Sequence, residues 1–77
     1  MTKTEQPMLI GKHYNISFKE TIEITYYSGT GVDTEVSLAN TSKTAMFLGM
    51  NSNNFADLKI GMKICSIPRI AFKATLL

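Results

Sequence analysis

Few side chains in this chain belong to types that do chemistry, and their spacing argues against catalysis. There is one histidine, His13, and one cysteine, Cys65. No motif places a serine or the cysteine beside His13 as a nucleophile and base would require. Cys65 lies among Ile64, Ile67 and other apolar residues, which suits a half-buried, inert thiol. Glu20 and Glu23 fall on opposite parities of one alternating segment, so they do not converge as an acid–base pair. A zinc site of nitrogen and sulfur ligands has too few ligands to form, and an intramolecular disulfide has only one thiol. The expectation is a protein that is not an enzyme, with no metal and no cofactor.

The cations are the other chemically capable set. Lys59, Lys63, Arg69 and Lys73 occupy two runs that alternate between apolar and polar residues, Leu58 to Cys65 and Arg69 to Leu76, connected by Ser66-Ile67-Pro68. Successive strand side chains point to opposite faces, so this is the period of two half-buried strands. Paired as a hairpin, the strands would present all four cations on one solvent face, with Ile60, Met62, Ile64, Ile70 and Phe72 in the core. Such a face could meet phosphates or an acidic partner. It could also be the lysine-rich protection that edges of sheets carry against aggregation. Single-strand nucleic-acid binders add exposed aromatics that stack on bases. Here Phe72 is on the apolar parity, and Tyr27 alone among the aromatics is on a polar one.

The elements that must position these residues read as strands. From His13 to Tyr27 the chain alternates, broken only at Glu20, and no residue near the middle favours a tight hairpin. A single strand bent near Lys19-Glu20 is expected. Ser28-Gly29-Thr30-Gly31 is a turn, and not a phosphate cradle, because a phosphate-binding glycine loop must open a helix. Val32, Thr34, Val36 and Leu38 then alternate with Asp33, Glu35 and Ser37, completing a hairpin. Residues 44–50 are apolar on both parities, as in a strand buried on both sides. Asn54 could cap one helical turn through Phe55-Ala56-Asp57. Asp57 to Ile64 resembles strands found alike in SH3-like, OB-like and PilZ-like barrels, a glycine near the strand start allowing a bend or bulge.

At 77 residues the chain makes one domain. A domain of this size buries roughly 60–65% of its unfolded surface and is modestly stable. Lacking disulfide and metal, it must rely on packing or on association. Its hydrophobic content of 44% and charged content of 18% are those of a folded chain. Residues 1–40 carry three cations and five acids, whereas residues 41–77 carry five cations and one acid. Such polarity suits polyanion binding or head-to-tail self-association. Residues 1–12 read as a polar arm interrupted by the apolar triplet Met8-Leu9-Ile10, which should dock on the domain or on a neighbour.

The expectation is therefore an all-β domain at residues 13–77, a small five- or six-stranded antiparallel barrel of SH3-like or OB-like type, preceded by an N-terminal arm at residues 1–12. Its expected role is non-enzymatic: a protein–protein interaction or assembly module, such as a small viral or phage structural or inhibitory protein. The alternative is an OB-like nucleic-acid binder using the basic face of the last hairpin. The expected contact residues are Met8, Leu9, Ile10, Lys59, Lys63, Arg69 and Lys73. A protein partner or self-association is expected, with no membrane. The lone cysteine and the lack of long apolar runs suit the cytoplasm, of the host if the protein is viral, or a virion.

Overall fold

The computed structural model describes residues 7–77. Seven strands follow one another: β1 (His13–Phe18), β2 (Ile22–Ser28), β3 (Gly31–Ser37), β4 (Ser42–Met50), β5 (Phe55–Ile60), β6 (Lys63–Pro68) and β7 (Phe72–Leu76). A single 3-10 turn, Arg69–Ala71, separates β6 from β7. All seven join one antiparallel sheet in the order β3-β2-β6-β5-β4-β1-β7. The all-β class and the antiparallel pairing agree with the sequence reading. The strand count is seven rather than five or six, and the sheet does not close into a barrel.

The connections bend this open sheet strongly. β1 and β2 are four places apart in the sheet, yet only Lys19–Thr21 join them. In a flat sheet that separation is about 19 Å. The four peptide steps from Phe18 to Ile22 reach only about 14 Å. The sheet must therefore curl, and the His13–Tyr27 segment is a strand interrupted at its bend, passing from one end of the sheet to the other. An ion pair marks the same curl. Glu35 on β3 meets Lys43 on β4 at 3.0 Å although the two strands share no ladder.

The concave side holds the core. Ile16, Phe18, Ile24, Leu58, Ile67 and Phe72 are fully buried there, with Phe18 directly opposite Phe72. β4 is central and buries Ala45 and Phe47, while Met46 and Leu48 are half-buried. Its ladder with β5 slips at Leu48, and Gly49 follows with φ of 143°, a backbone that side-chain-bearing residues rarely adopt. Phe55–Asp57 is strand and not a helical turn. Asn51 supplies the turn instead, its Oδ1 accepting from the N–H groups of Asn53 and Phe55.

The last hairpin differs most from expectation. A two-residue turn, Gly61-Met62, divides the alternating run, and Ile60 pairs with Lys63. Gly61 has φ of 64°, as the first central residue of a tight hairpin turn requires. Across a two-residue loop, paired residues differ by an odd number, so the buried parity reverses. Leu58 and Ala56 face inward before the turn, and Cys65 and Ile67 face inward after it. Met62 is 88% exposed at the tip, Ile64 turns outward, and Ile70 projects 85% exposed from the 3-10 turn. Of the five expected core residues, Phe72 is fully buried, Ile60 packs at the margin, and Met62, Ile64 and Ile70 are outside.

Candidate interaction surface

The same parity reversal breaks up the expected basic face. Lys59 projects from the convex side, opposite in direction to Leu58. Lys63 shares the parity of Cys65 and Ile67 and lies on the concave side. Its ammonium is 3.0 Å from Asp33 and 5.9 Å from the centre of the Tyr26 ring. Arg69 stacks over the Phe72 ring at 4.8 Å and donates to the Phe72 carbonyl. Lys73 extends from the convex side of β7, across from Ser17. The four cations therefore do not form one surface.

Of the arm, residues 7–12 can be described, and residues 1–6 of the expected arm lie outside the described residues. The described part folds back on its own domain. Gly11 N–H donates to the Phe47 carbonyl and Phe47 N–H to the Lys12 carbonyl, prolonging the β1–β4 ladder. Leu9 N–H donates to the Tyr14 hydroxyl at 2.7 Å. Met8 packs against the core, while Leu9 and Ile10 stay exposed. Pro7, Met8, Ile10, Phe47, Met50 and Arg69 line an open cleft of about 430 Å³ beside this segment.

The fold buries the Cys65 thiol together with the Tyr26 side chain. Cys65 is buried, and burial first, then the Asp57 carboxylate, raises its thiol to about 11. Tyr26 lies directly opposite Cys65, and burial, Cys65 and Glu35 push its phenol to about 12, with the nearby Ser37 hydroxyl acting the other way. Neither the Tyr26 nor the Ser37 hydroxyl has a partner at hydrogen-bonding geometry. His13 is exposed on the convex side. Glu20 sits in the bend and Glu23 on β2. Among the described residues no three metal-ligating side chains gather, and no helix is long and apolar enough to cross a membrane.

What the structure assembles instead is a row across the convex face. Val32 pairs with Tyr27, Tyr27 with Ile64, Ile64 with Lys59, Lys59 with Met46, and Met46 with His13. Six strands contribute one residue each, over about 24 Å at ordinary strand spacing. The end of the row formed by β3, β2 and β6 is apolar and open: Val32 is 62%, Tyr27 55% and Ile64 47% exposed. Val36 and Leu38 are exposed nearby on the same chain segment. At the other end, His13, Thr44, Met46 and Lys59 rim a shallow depression. Adjacent exposed apolar side chains of this size mark contact surfaces more often than isolated ones do. Sequence alternation assigned Ile64 to the core, and the valines of β3 to the apolar side of a hairpin. Tyr27, an aromatic on a polar parity, was the one legible sign of this face.

β3 adds an open edge to the same end. Counted outward from the two-residue loop, Ser28 and Gly31 exchange the first ladder bonds. Asp33 and Glu35 therefore bond to β2, and Val32, Thr34 and Val36 aim their N–H and C=O groups away from the sheet. No described segment pairs with that edge. The chain matches no family model, no curated protein and no solved structure.

Proposed function

We propose that this domain is a non-enzymatic protein–protein interaction and assembly module whose contact surface is the convex face of β3, β2 and β6. The observation that carries this reading is the adjacent, open set Val32, Tyr27 and Ile64 beside an unpaired strand edge. An aromatic flanked by aliphatic residues is the usual anchor of a protein interface. The finer fold assignment we favour is SH3-like rather than OB-like. A three-stranded meander, β4-β5-β6, is followed by one 3-10 turn, and the final strand returns to β1. A small structural or inhibitory protein of a virus or phage, acting in the host cytoplasm or the virion, suits this reading. Nucleic-acid binding is disfavoured because Lys59 and Lys63 face opposite ways and Lys63 is engaged by Asp33.

The test is a photo-crosslinker, benzoylphenylalanine, in place of Tyr27 in cells that naturally make the protein. The expected product is a protease-sensitive adduct that disappears when Ile64→Asp is added. A nuclease-sensitive adduct, or none, overturns the reading.

A further inference from the structure

β3 reads Val32-Asp33-Thr34-Glu35-Val36, a pattern that is the same in both directions: valine, acid, threonine, acid, valine. An isologous interface requires a self-complementary patch, in which each residue meets its counterpart across a two-fold axis. Folding does not demand this palindrome, because all five residues are exposed. We infer that the partner of the β3 edge is a second copy of this chain, joined by antiparallel β3–β3 pairing with Thr34 on the two-fold axis. The inference rests on the reading of this face as an assembly surface and names its occupant.

The geometry fits the ladder rules. Val32, Thr34 and Val36 carry the outward-aimed backbone groups, and in this register they are the residues that exchange hydrogen bonds with the second copy. Val32 faces the partner's Val36, and Thr34 faces the partner's Thr34. Thr25 already pairs with Thr34 within one chain, so a row of four threonines would cross the joint. Threonine and β-branched cross-strand pairs are favourable. The valines of the joint continue the apolar row of Tyr27 and Ile64 into the second copy.

Charge is the objection, and the structure answers it. Asp33 of one copy would lie opposite the partner's Glu35, and like charges directly opposite are unfavourable. Each acid already holds a lysine of its own chain: Asp33 holds Lys63 at 3.0 Å, and Glu35 holds Lys43 at 3.0 Å. Both lysines approach from the concave side and leave the backbone edge free. Each facing acid thus brings its own countercharge to the joint.

Thr34→Pro separates this arrangement from every other. The Thr34 N–H is not used within the chain, so proline there leaves the β2–β3 ladder whole while removing the central bond of the joint. By sedimentation, the full chain is expected at twice its 8.5 kDa at high concentration, and Thr34→Pro at the single-chain mass with an unchanged circular dichroism spectrum. Thr34→Lys, which sets two ammonium groups across the axis, is expected to give the same loss and serves if the proline variant does not fold. A wild-type chain that stays single up to about 1 mM, the weakest association of interest, overturns the inference. So does a dimer that survives both substitutions. A wild-type chain that stays single while Tyr27 still crosslinks to a different protein would leave the assembly reading standing and remove the second copy as occupant of the edge.

Discussion

β1 and β3 have nearly the same length and opposite fates. β1 alternates strictly, burying Tyr14, Ile16 and Phe18 between β4 and β7. β3 buries only Ser37 and is paired along one edge. In β1 the apolar parity faces the core. In β3 the valines face solvent and the acids face inward, where Lys63 and Lys43 meet them. Period two establishes that a segment is a strand. It does not establish which side the rest of the protein will cover, because that depends on what curls over it. A strand that folding leaves unconstrained can be shaped by contact with something else.

The sharpest way to break this comparison is to truncate the core against which β1 is buried, on its two neighbours β4 and β7. Phe47→Ala or Phe72→Ala should cost on the order of 3–5 kcal/mol, enough to unfold a domain this small. Thermal melts would reveal it, and a barely shifted transition would place the core elsewhere.

Alkali should act on the inward side through two buried groups. The thiol of Cys65 and the phenol of Tyr26 are raised in the fold to about 11 and about 12, so the unfolded chain releases these protons first. Their contribution is whole below about pH 9 and lost as pH rises toward 11 and 12. Melting temperature should fall through that window, and Cys65→Ala should flatten the fall. A thiol reagent at neutral pH should label Cys65 only on unfolding.

The described arm tests the boundary between the regions. Met8→Ala should cost about 1–2 kcal/mol, because Met8 packs on the core only in part. Leu9→Ala, at an exposed side chain, should change stability by less than about 0.5 kcal/mol. The smallest effects belong to β3. Val32→Thr and Val36→Thr should each shift stability by under about 0.5 kcal/mol. Large destabilisation by either valine change would mean that β3 serves the fold after all.

Much of the architecture was legible. The Ser28–Gly31 turn, the bend near Lys19-Glu20 and the strand character of residues 44–50 follow from local chemistry, although β4 begins two residues earlier, at Ser42. The Gly61-Met62 turn was not, because Lys-Ile-Gly-Met-Lys keeps a smooth alternation straight through it. With that turn missed, the facing of Lys63, Ile64 and Cys65 was inverted, and with it the grouping of Lys59 and Lys63. The convex row was hidden for a further reason. It joins residues from six strands that only register brings together, and no one-dimensional period encodes register between distant strands.

The place of β1 has a consequence for how the protein comes into being. One edge of β1 is satisfied by β4, but the other is closed only by β7, which leaves the ribosome after every other strand. Throughout translation, an early strand bearing Ile16 and Phe18 therefore waits with an open edge and an uncovered core. Closing so long a loop is slow relative to local hairpins. The nascent chain should be most prone to mispairing just before Phe72 emerges and takes its place opposite Phe18.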